Sequence, residues 1–164
     1  MAKFLLGVAI IAFTSFCGYL LTKKYRRRKQ FFSQLFEFNE RFLAEITYYR
    51  RPLRAFVSAY TYRGEFQELL LDYFAETNNQ GYVFIERIDN PEYDFLKKEE
   101  KRTVYDYFSM LGKGDSSSQK NYFTSVKETL SKLKKEAEEN NKKYGDLYVK
   151  LGFLCGLLIL ILVI

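Results

Sequence analysis

The sequence predicts an all-α protein: an antiparallel helical bundle flanked by an N-terminal and a C-terminal transmembrane helix. Three observations lead there. The apolar residues crowd at the two ends, with no charge from Phe4 to Thr22 and none from Leu151 to Ile164. A run of Lys23, Lys24, Arg26, Arg27, Arg28 and Lys29 follows the first apolar stretch. Between the ends, apolar residues recur at intervals of three and four, the period of an amphipathic helix. The organisation is therefore residues 1–22 as a first membrane helix, 23–150 as a water-facing helical domain with a basic collar, and 151–164 as a second membrane helix.

Phe4 to Thr22 is 19 residues, close to the roughly 20 that cross a bilayer as a helix. A cleaved signal peptide wants its positive charge before the apolar run and small residues at the cleavage site. Here the charge follows, and no A-x-A site is present. Lys and Arg near the end of a span stay on the cytoplasmic side, so six cations outvote Lys3 and residues 23 onward are expected in the cytoplasm.

The next segment carries Phe31, Leu35, Phe38, Phe42, Ile46 and Tyr49 on one face, with Glu37, Glu40, Arg41 and Glu45 on the other. Pro52 ends this helix or begins the next, where its fixed φ suits a first helical turn, and Leu53, Phe56, Val57 and Tyr60 continue on a second helix. Gly64 breaks it. Phe66, Leu69, Leu70, Tyr73 and Phe74 make a third, closed by the turn residues Asn78, Asn79 and Gly81. Residues 82–89 fit a strand or a helix by composition. A strand would have no partner there, which favours a short helix. Residues 92–111 are expected as a helix, with Phe95, Val104, Phe108 and Leu111 inward.

Leu111-Gly112-Lys113-Gly114-Asp115 then reads as a corner between helices. Gly112 supplies a positive φ at a helix end, and Asp115 caps the next helix. A phosphate-binding loop needs a different spacing, G-x-x-x-x-G-K-[ST]. From Ser116 onward Phe123, Val126, Leu130, Leu133, Ala137, Tyr144, Leu147 and Leu151 follow a narrow seam of near-heptad spacing. One long helix can carry this seam into the membrane, with Asn140-Asn141 and Gly145 as soft points, and the narrow stripe suits either antiparallel pairing with the first helix or an ordinary bundle helix with a solvated face. The final apolar run is 14 residues. It reaches 18 when counted from Leu147, with Lys150 extending back to the interface along its own stem. Gly152 and Gly156, and Thr14 and Gly18, are small residues four apart that let another helix approach closely. Cys17 and Cys155 are expected at similar depth and so to crosslink if the two helices pair.

Composition excludes several function classes. Residues 30–150 carry 19 Lys+Arg against 20 Asp+Glu, so the net charge of +6 belongs to the collar and no nucleic-acid-binding face is expected. There is no histidine, and both cysteines lie in the apolar ends. The commonest acid–base group is thus missing, and no metal or cofactor site is expected. Carboxylates on helices, such as Glu99 and Glu100, are in principle acid–base candidates, but with no histidine, cytoplasmic cysteine, phosphate loop or ligand cluster beside them no enzyme is expected. Arg50 and Arg51, ahead of Pro52, are candidates for a partner contact, as against a solvated helix end.

The motifs together resemble the stage III sporulation protein AB family of endospore-forming bacteria. The resemblance rests on the N-terminal membrane helix with its basic run, and on a Pro-Leu after the first cytoplasmic helix within Tyr48 to Leu53. It rests further on an LGxxDxxxQ corner at Leu111, Gly112, Asp115 and Gln119, and on a final K-x-Y...LG...G run at Lys142, Tyr144, Leu151, Gly152 and Gly156. It implies a part in the channel between mother cell and forespore, with a helical domain similar to the cytoplasmic domains of type II secretion platform proteins. It implies a non-enzymatic scaffold that meets a secretion-type ATPase and other channel subunits on the mother-cell side of the forespore membrane. The residues themselves equally permit a membrane-tethered adaptor or regulator of another inner-membrane complex. Lipid is an expected partner in either case, and a homo-oligomer is compatible with both.

Overall fold

The computed structural model of the chain describes residues 2–49, 51–76 and 87–163. Among the described residues the structure is all-helical, without a strand. Helix α1 spans Ala2–Ala44 and runs into a π-helical turn, Glu45–Tyr49. Then come α2 (Leu53–Ser58), α3 (Glu65–Glu76), a 3-10 turn at Pro91–Tyr93, α4 (Lys98–Met110), α5 (Ser116–Gly145) and α6 (Leu147–Val163). The chain divides into two compact units, one of Met1–Lys29 with Glu136–Ile164 and the other of Gln30–Lys135.

The Gln30–Lys135 unit closes on an aromatic core. The seam of α1, Phe31, Leu35, Phe38 and Phe42, is buried as its spacing predicts. Phe38 is the hub: its ring meets those of Phe42, Phe56, Tyr62, Phe66 and Tyr107 at centroid distances of 5.5–6.3 Å. Most of these contacts are edge-to-face, the geometry that the ring quadrupole favours. Phe123 of α5 packs on Phe42 at 4.9 Å and on Tyr107 at 5.0 Å. Lys127 pairs with Glu40, and Lys134 lies over the Phe36 ring, so α5 descends as α1 ascends. The antiparallel pairing of the first and last long helices is thus present within this unit.

The α2–α3 loop is held by Gln34. Its side chain donates to the Arg63 carbonyl and accepts from the Arg63 amide. Gly64 adopts φ +59° just before α3, where it was expected to break a helix. Tyr73 of α3 donates its hydroxyl to the Leu111 carbonyl at 2.8 Å, capping the end of α4.

Three expectations need correction. Glu45 was placed on the solvent face, but it is buried. It lies three residues after Phe42, on the seam itself, and the π-helical turn that begins there leaves Tyr48 and Tyr49 exposed instead. Tyr49, expected inward, therefore faces out. Residues 92–97 are not the start of an α-helix. Pro91 opens a 3-10 turn that ends at Tyr93, and Tyr93, Phe95 and Leu96 are all buried. Helix α4 begins only at Lys98, where the Lys97 amide donates to the buried Glu100 carboxylate at 2.9 Å. Of the ambiguous stretch 82–89, residues 82–86 lie outside the described residues, as do Asn78, Asn79 and Gly81, and 87–89 are helical.

In the other unit, α1 and α6 run antiparallel. The stretch Ser116–Ile161 contains a window with a mean hydropathy of 1.7 of which 11% is buried, and it is long and apolar enough to cross a membrane. Among the described residues one such stretch occurs. The first expected span is helical from Ala2 onward, with its opening side chains outside the described residues. Helix α5 ends at Gly145, one of the expected soft points, and α6 restarts across Asp146, whose carbonyl accepts from the Lys150 amide at 3.1 Å.

Candidate functional site

Two places gather the residues that the sequence singles out. The first is the face between α1 and α6. A Cβ built on Gly152 would sit 2.5 Å from the Thr14 carbonyl oxygen and 3.3 Å from the Ser15 Cα. One on Gly156 would sit 2.5 Å from Thr14 Oγ1 and 2.9 Å from the Ile11 Cα. One on Gly18 would meet the Tyr148 carbonyl oxygen, and one on Gly7 the Leu160 side chain. Most of these neighbours are backbone, so the glycines set how closely the helices approach. The Thr14 hydroxyl donates to its own helix, to the Ile10 or Ile11 carbonyl, which satisfies it in an apolar setting. Gly152, Gly156, Thr14 and Gly18 are therefore brought together in one seam.

This seam fixes a register that the depth argument for the cysteines did not foresee. Thr14 stands opposite Gly152 and Gly18 opposite Tyr148. Cys17 thus falls about six residues, or roughly 9 Å along the axis, from the level of Cys155. Both thiols are free and exposed rather than in the seam. A direct Cys17–Cys155 crosslink is not expected from this geometry.

Beyond the glycines, α1 carries an aromatic clasp to α5 and α6 and an ionic clasp to α5. The Tyr25 ring stacks on Tyr144 at 5.1 Å and on Tyr148 at 6.0 Å. Arg28 is 4% exposed and reaches Glu136 at 3.2 Å. Sequence reasoning had counted Arg28 with the solvated collar. The only signal to the contrary is position. Arg28 is three residues after Tyr25 and three before Phe31, so it shares their helix face.

The second place is the corner between α4 and α5. Gly112 has φ +75° and Gly114 φ +81°, a region open to glycine and strained for other residues. Leu53 lies 3.1 Å from where a Gly112 Cβ would be. Asp115 Oδ2 accepts from the Ser117 amide at 3.2 Å, and the Asp115 carbonyl accepts from the Gln119 amide at 3.0 Å. Hydrogen bonds from the Ser118 hydroxyl and nearby amides hold the Asp115 carboxyl below the usual carboxylate range. Gln119 also reaches the Gly114 carbonyl, at 3.5 Å.

A groove of about 250 Å³ opens beside this corner, lined by Phe42, Glu45, Ile46, Arg51, Leu53 and Gln119 among others. Glu45 is its charged floor. It accepts from the Arg51 Nε at 2.9 Å, from Nη2 at 2.6 Å and from the Arg51 amide at 3.0 Å. These bonds hold the Glu45 carboxyl below its ordinary range and push the Arg51 guanidinium up. Arg51 is 43% exposed, so it borders solvent while its fork is held by Glu45. Arg50 lies outside the described residues. Glu100 serves the backbone at the start of α4. Among the described residues no group of three or more His, Cys, Asp or Glu could hold a metal ion.

Described residues that are all-helical, with a glycine-lined apolar helix pair and a helical unit built on aromatic packing, have the make-up of a helical protein with a membrane-compatible end. It belongs to the stage III sporulation protein AB family, whose model matches residues 3–164. This is a sporulation family, and the match runs through both helix pairs and the corner. No curated protein and no solved structure matches the chain.

Proposed function

We propose that the chain is a two-pass membrane protein with its N-terminus outward and residues 23–150 in the cytoplasm of the mother cell. There it acts as a non-enzymatic platform subunit of the secretion-like channel toward the forespore, docking a cytoplasmic ATPase on its helical domain. The single observation that carries this reading is the match of the sporulation family along residues 3–164. The glycine seam supports two paired spans, because small residues let apolar helices pack without a hydrophobic drive between them. The basic run after residue 22 supports the orientation. The groove beside the corner, with Tyr48 and Tyr49 exposed near it in the sequence, supports a docking role for that face.

The test is recovery of the tagged full chain from detergent-solubilised membranes of the sporulating host, followed by binding of the purified chain to the purified ATPase. Co-recovery and direct binding, both weakened by Tyr48→Ala with Tyr49→Ala, support the platform reading. Recovery of other membrane proteins without the ATPase, and no direct binding, would overturn it.

A further inference from the structure

The collar offers more than a topology signal. Of its cations, Lys23, Lys24, Arg26 and Lys29 are exposed, Arg27 is half-buried, and Arg28 is turned inward onto Glu136. No acidic residue precedes Glu37 in the chain. Residues 136–150, which share this unit, add Lys142, Lys143 and Lys150 against Glu136, Glu138, Glu139 and Asp146. The layer as a whole keeps five net positive charges.

Geometry aims those charges at one kind of ligand. Helix side chains lean toward the N-terminus of their own helix. For α1 that direction is the apolar segment. The Arg26 guanidinium shows the lean, lying over the Tyr19 ring at 5.4 Å. Immediately beyond, Leu20, Leu21, Phe16 and Phe13 are exposed on α1, and Leu151, Leu154 and Leu158 on α6. Residues 23–29 cover about 9 Å of helix axis, within about one Debye length of that apolar edge. An inorganic anion would need a closed cradle, and a nucleic acid a longer stripe away from apolar surface.

We infer that the exposed collar residues Lys23, Lys24, Arg26 and Lys29 bind the headgroups of anionic phospholipids, selecting them as the protein's first lipid shell. This rests on the membrane-inserted reading above. The cations meet phosphates at the interface, where each basic side chain adds attraction to an anionic surface, while the exposed apolar residues meet the acyl chains. Arg28 is not part of the lipid site, since its charge is spent within the helix pair.

The experiment is native mass spectrometry of the detergent-purified full chain offered equal amounts of phosphatidylglycerol and phosphatidylcholine. Phosphatidylglycerol adducts are expected in excess by at least about fivefold, the effect of a single basic side chain at about 1 kcal/mol. The variant carrying Lys23→Gln, Lys24→Gln, Arg26→Gln and Lys29→Gln is expected to lose that excess. A charge-keeping variant, Lys23→Arg with Lys24→Arg, Arg26→Lys and Lys29→Arg, should retain it, as should Lys120→Gln with Lys132→Gln on α5. Equal adducts in the native chain, or an undiminished excess in the four-glutamine variant, would overturn the proposal. So would displacement of the lipid by millimolar inorganic phosphate, which would point to a free anion. Carbonate extraction of the host membranes separates the two readings. A chain that washes out refutes membrane insertion. A chain that stays in but shows no lipid preference refutes only the collar's selectivity.

Discussion

Replacing Gly152 places new atoms against the backbone of the facing helix, which cannot rotate out of the way. A single methyl at this position would lie 2.5 Å from the Thr14 carbonyl oxygen, against 3.4 Å for an ordinary contact. Relief requires the helices to part by most of an ångström. A gap of 0.5–1 Å already forfeits about a quarter to a half of each dispersion contact it opens. Overpacking of this kind costs about 1–3 kcal/mol. For Gly152→Ala the pairing equilibrium should therefore weaken by about 5- to 150-fold, at about 1.4 kcal/mol per factor of ten. Gly152→Leu, with three further carbons to place, should abolish close pairing. The native cysteines supply the assay, because each helix carries one exposed thiol. Spin labels on Cys17 and Cys155 of the full chain in liposomes, diluted with unlabelled protein, give an inter-helix distance by pulsed electron resonance. The native chain should give one narrow distribution. Gly152→Ala should broaden it, Gly152→Leu should lengthen it, and Leu154→Ala, at an exposed position, should leave it unchanged. An unaltered distribution in the leucine variant would refute the close-packed seam.

Phe38→Ala removes a fully buried ring that five other rings contact, and should destabilise the helical unit by about 3–5 kcal/mol in denaturant titrations followed by circular dichroism; Tyr48→Ala, at an exposed ring, serves as the control. The Glu45 and Asp115 carboxyls are both held below their unfolded values, so their stabilisation is present above about pH 4 and is lost as pH falls through their folded pKa values. Glu45→Gln should accordingly be less stable than the native chain at neutral pH, with a shallower loss of stability below about pH 4; parallel curves would refute the Glu45 assignment. Burial pushes the Tyr107 and Tyr93 hydroxyls above the usual phenol range. Their effect is absent below about pH 10 and destabilising above it, so ultraviolet titration should show part of the tyrosine absorbance change delayed until unfolding, and Tyr107→Phe should extend the alkaline range of stability.

How much of this was legible depends on whether a residue's environment is set by its own helix. The seam of Phe31, Leu35, Phe38 and Phe42 is a local property, and so is the corner, where Gly112, Gly114 and Asp115 act within a few residues of one another. The small residues Thr14, Gly18, Gly152 and Gly156 could be named from spacing alone, but not their register. That register comes from which glycine admits which backbone, a property of two helices together. Residues 92–97 were misread because helical periodicity was extended through Tyr93, Phe95 and Leu96. Their burial is imposed by rings elsewhere, Phe31 among them, which meets Tyr93 and Phe95 at 6.5 and 5.7 Å.

Glu45 and Arg28 show the same limit acting on charge. Each sits on an apolar helix face, each was assigned to solvent by its chemistry, and each is buried with a partner. Position on the helix argued for burial and residue type argued against it. An ion pair that is partly exposed through one partner reconciles the two, because desolvation is then incomplete. For Arg28 this changes a count that the orientation argument uses. Removing it from the collar leaves five cations after the first apolar stretch against Lys3 before it. The positive-inside bias counts residues close to the ends of a span. The imbalance therefore survives the loss, and the cytoplasmic placement proposed for residues 23–150 does not depend on Arg28, which the fold has put to another use.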